Sequence, residues 1–136
     1  MIFVDTSFLI AIALTRDALH HRSVAWSASL RQPLLTTDFV LIEFINFLSK
    51  PTDRKRAHAV LKWVQNRPLM RIVRASAELF DAGLQLHLAR ADQAWSLTDC
   101  ISFQVMTERG IREALTNDHH FEQGGFDALL RRDPPS

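Results

Sequence analysis

The chain predicts an α/β fold in which a short, mostly parallel sheet lies between layers of helices. Two observations carry that expectation. Short apolar runs with β-branched content alternate with helical segments of roughly 10 to 15 residues, the pattern of a parallel sheet covered on both faces. Carboxylates also recur where those runs end, and ligands of such sheets gather at the carboxyl ends of the strands.

Taking the elements in order, residues 1–5 (Met-Ile-Phe-Val-Asp) form an apolar run closed by a carboxylate, as in a buried strand. Ser7 to Leu14 and Asp17 to Leu30 follow as helical segments, the second carrying Val24, Trp26, Ala28 and Leu30 and ending before Pro33. Pro33 to Thr37 reads as a second strand, and Asp38 as the N-cap of a helix to about Ser49. Phe39, Leu41, Ile42, Phe44, Ile45, Phe47 and Leu48 make that helix apolar on nearly every side, so it is expected to be well buried. Thr52 to Asn66 forms a basic amphipathic helix with Ala59, Val60, Trp63 and Val64 facing the core, and Leu69 to Val73 a third strand. Ser76 caps a helix running to about Ala91, with Leu79, Phe80, Gly83, Leu84, Leu86 and Leu88 as its apolar content. Ser96 opens another, closed by Gly110. Glu113 to Thr116 is a fourth strand, and Asp127 to Leu130 an edge strand before a frayed tail from about residue 132.

The 136 residues, 47% apolar and 23% charged with four Gly and five Pro, fit one folded domain spanning 1–136 and exclude a disordered or low-complexity chain. A single cysteine, Cys100, cannot form an internal bridge, which fits the cytoplasm. The longest apolar run, Phe8 to Leu14, falls far short of the roughly 20 residues that span a bilayer. Charge is unevenly placed. Lys50 to Arg74 holds eight basic residues against Asp53 alone, whereas Ala75 to Ser136 holds five basic and ten acidic residues. The basic stretch serves either as a solvated helix face or as a surface for a phosphate backbone, and charge alone does not choose between them.

Asp5 follows the first strand, Asp99 lies in the first turn of a helix, and Asp118 follows the fourth strand. Glu43 stands between Leu41, Ile42, Phe44 and Ile45, with Asn46 three positions on. Each has a structural explanation in isolation: Asp5 and Asp118 as helix caps or turn residues, Asp99 as the closing member of a capping box Ser96-Leu97-Thr98-Asp99, Glu43 in a buried ion pair. Together in one strand-end crevice they would repel one another unless hard cations neutralised them. Oxygen ligands of this kind suit one or two Mg²⁺ or Mn²⁺ ions, which activate water for hydrolysis of a phosphodiester.

Val4-Asp5-Thr6-Ser7, Glu43-Phe44-Ile45-Asn46, Ser96-Leu97-Thr98-Asp99-Cys100 and Leu115-Thr116-Asn117-Asp118-His119-His120-Phe121, followed by Gly125-Phe126, occur in that order along the chain. This set resembles a PIN domain, and within that family the VapC-type toxins of bacterial toxin–antitoxin pairs. The resemblance spans essentially the whole chain. It implies a three-layer α/β/α sandwich, an acidic metal site of Asp5, Glu43, Asp99 and Asp118, and Thr6, Asn46 and Thr116 as polar groups beside it. It further implies metal-dependent endoribonuclease activity, a homodimer, and a cognate antitoxin partner. Arg54, Lys55 and Arg56 are the expected contacts to the RNA backbone.

The other candidates are weaker. Adjacent side chains on a regular element do not face one way, so His20-His21 and His119-His120 make poor chelates, though either of the latter could touch RNA phosphate. Cys100 suits a small core residue, and Trp26, Trp63 and Trp95 core or interface positions. No Gly-rich loop follows the first strand, which disfavours a nucleotide-binding Rossmann enzyme. A haloacid-dehalogenase-type phosphatase also places an Asp after its first strand, but needs a second acid two residues on, where Ser7 stands. A non-catalytic PIN-like module binding RNA or protein is the alternative of another class.

Overall fold

The computed structural model describes residues 1–136. Five parallel strands, β1 (Ile2–Val4), β2 (Leu34–Thr37), β3 (Met70–Val73), β4 (Glu113–Leu115) and β5 (Asp127–Ala128), stand in the order β3-β2-β1-β4-β5. Helices α1 (Thr6–Ala13) and α2 (His20–Ser29) connect β1 to β2, and α3 (Asp38–Phe47) and α4 (Arg54–Asn66) connect β2 to β3. Helices α5 (Ala77–Ala89) and α6 (Leu97–Glu108) lead to β4, and the one-turn α7 (His119–Gln123) leads to β5. A short 3₁₀ turn, Leu129–Arg131, follows.

The chain builds outward from β1 on one side, then returns to place β4 on the other. Direction therefore reverses between β1 and β4, where both connections leave a crevice at the strand ends. Phe3 and Val4 of β1 and Ala114 and Leu115 of β4 are fully buried, as strands covered on both faces must be. Phe8, Leu9, Phe44, Met106 and Phe121 pack into the same core. Phe103 gathers Trp95, Phe121 and Phe126 around it, with ring centroids 4.9, 4.9 and 5.3 Å away. The C-terminal segment is tied back by the Trp26 indole N–H, which donates to the Arg132 carbonyl at 2.9 Å, and by an Arg22–Asp133 ion pair.

Several local expectations change. Thr37, not Asp38, caps α3: its hydroxyl accepts from Val40 N–H, whereas Asp38 turns to Ala75 N–H and Arg74. The helix is also not buried all round, since Ile42 and Phe47 face outward; uniform apolarity gave no face to choose. In α4 the core residues are Ala57, Val60 and Val64, with Ala59 exposed and Trp63 half-buried beneath the Arg67 guanidinium. Residues 17–19 form a turn ahead of α2, because the Asp17 carboxylate accepts from Leu19 N–H at 2.8 Å. The edge strand is only two residues long before the chain coils into the 3₁₀ turn, and of the two readings of Asp118 the helix cap is the one observed, at the start of the one-turn α7.

Gly83 sets the approach of α5 to α6. A Cβ there would lie 2.3 Å from Ile101 Cγ1, near the root of a stiff β-branched side chain rather than a flexible tip. Gly83→Ala is expected to destabilise the protein by about 1–3 kcal/mol, the range for overpacking a close interface. Ile101→Ala, which removes Cγ1, should lower that penalty in the double variant, as chemical denaturation of the four members of the cycle would show; additive losses would separate the two residues.

Candidate active site

Asp5 leaves β1 just as α1 begins, and its carboxylate is buried. Thr116, immediately beyond β4, donates its hydroxyl to Asp5 Oδ2 at 2.7 Å, and Ser7 donates to the same oxygen at 3.3 Å. Ser7 thus stands as a neutral donor where a dehalogenase-type phosphatase would carry its second acid. Thr36 on β2 fixes the other flank, donating to the Val4 carbonyl at 2.8 Å. The Thr116 oxygen in turn accepts from Asp118 N–H at 3.0 Å, so one hydroxyl joins the turns after β1 and β4.

Asp99 comes from the first turn of α6, and the capping box is complete. Ser96 Oγ accepts from Asp99 N–H at 3.0 Å, and Asp99 Oδ2 accepts from Ser96 N–H at 3.1 Å. Capping and site membership are therefore compatible, because the box uses one oxygen and leaves Oδ1 without a protein partner. His120 Nδ1 lies 3.0 Å from Asp99 Oδ2 and 3.4 Å from Asp118 Oδ1, while its backbone N–H donates to Asp118 at 2.9 Å. His120 thereby bridges two acids.

Asp5, Thr6, Ser7, Glu43, Asp99, Asp118 and His120 line one cleft of about 290 Å³. No lysine or arginine lines it. The Thr6 hydroxyl is buried in this wall without a hydrogen-bond partner, an uncompensated polar atom at the edge of an acidic cavity. Burial pushes the Asp5 carboxyl up to about 7, against the Thr116 and Thr6 hydrogen bonds, with Asp99 and Glu43 adding to the rise. Burial also raises Asp99, helped by Asp118 and opposed by the Ser96 N–H and His120. Four carboxylates in this setting fit the hard, oxygen-preferring cations Mg²⁺ and Mn²⁺.

The remaining expected residues fall elsewhere. Thr116 stands behind Asp5. Asn46 lines a different groove, between α3 and α4, with Leu41, Ile45 and Leu61. Asn46 and Glu43 stand three positions apart on α3, yet they line different cavities. Arg54, Lys55 and Arg56 are exposed in the first turn of α4 and do not line the cleft. Cys100 is buried, its thiol raised by burial.

Sequence reasoning offered His120 only as a contact to RNA phosphate and missed its pairing with Asp99 and Asp118. Its signal was the His119-His120 pair, set aside because neighbouring side chains diverge. The single turn of α7 instead brings ligand atoms of Asp118, His119 and His120 within 4.8 Å of one another. His119 is exposed on the outer side of that group.

A model of the PIN domain family matches residues 2–127. The 23S rRNA-specific endonuclease VapC20 of Mycobacterium tuberculosis, from strains CDC 1551 / Oshkosh and H37Rv alike, is 29% identical over 126 residues, covering 93% of this chain and 95% of its own length. The crystal structure of that Sarcin-Ricin loop cleaving toxin superposes with a TM-score of 0.86 at 27% identity, covering 95% of this chain and 98% of its own. FitAcB from Neisseria gonorrhoeae shares the fold, with a TM-score of 0.64 at 16% identity over 94% of this chain and 95% of that one.

The raised Asp5 pKa makes a prediction for the metal-free protein. Between about pH 4 and 7 the folded state holds a proton that the unfolded state has released, so stability falls as pH rises through that window and levels off above it. The shift from 3.8 to about 7 corresponds to a loss on the order of 4 kcal/mol. Asp5→Asn should remove this part of the slope. Thermal melts in EDTA are expected to show the variant more stable than the parent at pH 8 and close to it at pH 4.

Proposed function

The chain belongs to the PIN domain family, and on that premise we propose that it is a metal-dependent endoribonuclease, the toxin of a toxin–antitoxin pair. Asp5, Glu43, Asp99 and Asp118 would hold one or two Mg²⁺ or Mn²⁺ ions. The observation that carries this reading is the convergence of four carboxylates, from four separate segments, on one cleft without a lysine or arginine to balance them. Such a cluster is costly in an apolar setting unless it serves a cation.

When bound, a divalent ion supplies a Lewis acid for phosphoryl oxygens and a more acidic water. The chain's own residues do the positioning. Thr116 and Ser7 fix the Asp5 carboxylate from behind, and the capping box fixes Asp99 with Oδ1 open. His120 aligns Asp99 with Asp118, and in its protonated form it is the cationic side chain of the cleft. Orienting partners of this kind hold metal-ligating carboxylates in place. Arg54, Lys55 and Arg56 present exposed positive charge to the RNA backbone outside the cleft. The substrate class is RNA, and the VapC20 relatives make ribosomal RNA the first to test.

The partners are a cognate antitoxin and a second copy of the chain. Phe80, Leu84 and Leu88 recur every fourth residue along the outer face of α5 and are all exposed, Leu88 to 78%. An apolar stripe of this kind is a surface that association would cover. No helix is long and apolar enough to cross a membrane, and cytoplasmic RNA is the proposed substrate pool.

Incubation of the antitoxin-free protein with total RNA, including intact ribosomes, tests the activity. Cleavage should require Mg²⁺ or Mn²⁺, stop in EDTA, and fall by more than about 100-fold in Asp99→Asn, whose circular dichroism should match the parent. Full activity in EDTA or in that variant would overturn the assignment. Light scattering should give a dimer mass for the parent and a monomer mass for the Leu84→Glu, Leu88→Glu double variant.

A further inference from the structure

A second cavity, of about 420 Å³, adjoins the acidic cleft and shares Ser7, Ile10 and Asp118 with it. Its remaining walls are Phe47 at the end of α3, Asn117 after β4, and Asp17, Ala18 and Leu19 of the turn before α2. Phe47 is 62% exposed and takes no part in the hydrophobic core. The backbone of Asn117 is engaged, its N–H donating to Ser7 Oγ and its carbonyl accepting from Arg131, while its carboxamide makes no hydrogen bond within the protein. Asp17 uses Oδ1 to accept from Leu19 N–H and leaves Oδ2 open. The cavity thus offers an aromatic face, a free carboxamide and one free carboxylate oxygen.

We propose that this cavity receives the nucleobase adjoining the phosphodiester held at the acidic cleft, stacked on Phe47 and read at its edge by Asp17 and Asn117. The proposal rests on the nuclease reading and deepens it. A phosphate is disfavoured, because no lysine or arginine lines the cavity and both Asp17 and Asp118 repel an anion. A base suits it: every base has a π-face for an aromatic side chain, and the volume lies within the range of about 300–1,000 Å³ usual for small-ligand sites. A carboxylate only accepts hydrogen bonds, so Asp17 favours the exocyclic amines of adenine, cytosine and guanine over uracil, whose exocyclic groups are carbonyls. Continuity through Ser7, Ile10 and Asp118 places the base on one side of the cleft, so that reading it also sets which bond is presented.

Short RNA oligomers carrying a single 2-aminopurine, walked along the sequence and bound to the full-length Asp99→Asn protein, test the stacking directly. Fluorescence should be quenched at one position. Phe47→Ala should abolish the quench and weaken binding by about tenfold or more, and Phe47→Trp should restore both. In the otherwise unaltered protein, Asp17→Asn should shift the base preference at the cleavage site toward uracil. No quench at any position, a quench indifferent to Phe47→Ala, or an unchanged preference in Asp17→Asn would overturn the proposal. The two readings fail separately. Metal-dependent cleavage without a Phe47-dependent quench removes only the base pocket, and the quench without metal-dependent cleavage removes only the nuclease.

Discussion

The burial of a carboxylate at the end of β1, beside three other acids, is the constraint around which this molecule is arranged. Asp5, with two hydrogen bonds in its favour, still titrates near neutrality rather than in the usual carboxylate range. Burial outweighs the hydrogen bonds, and Asp99 and Glu43 push the same way. Left to folding alone, an amide would serve better at that position. On the proposed function a cation would repay the desolvation of the acid, and such an exchange of stability for a site is a recurrent feature of functional centres.

The surroundings make sense as means of holding those acids close together. The reversal of strand order between β1 and β4 brings Asp5 and Asp118 to one crevice from positions far apart in sequence. The Thr116 hydroxyl bonds to both turns, and the Ser96–Asp99 capping box locks α6 at the rim. The close approach of α5 at Gly83 packs against Ile101, two residues beyond Asp99. Displacement of α6 there would move the carboxylate that shares His120 with Asp118.

Much of this was legible in the sequence, for identifiable reasons. β1, β2 and β4 were readable because they are short, largely buried and bounded by polar residues, and the position of Asp5 at the end of such a run pointed to the strand-end crevice. The four acids could be singled out because their motifs occur together in one order, although each is individually weak. The exposed face of α3 could not be read, since a helix apolar on nearly every side gives periodicity no direction; Ile42 and Phe47 were expected to be buried and face solvent. The course of α7 beyond its cap at Asp118 was illegible because five residues are too few to show a helical period, and with it went the contact of His120 with the acids. Asn46 illustrates the limit of spacing arguments: adjacent to Glu43 on the helix, it still lines another groove.

Anomalous diffraction from crystals grown with Mn²⁺ would locate a cation bound by the four acids. A strong peak is expected in the cleft within coordination distance of Asp5 and Asp99, with Glu43 or Asp118 completing the protein ligands directly or through water. A well-ordered cleft with no peak, or a peak confined to His119 and His120 away from Asp5, would contradict the proposed metal site.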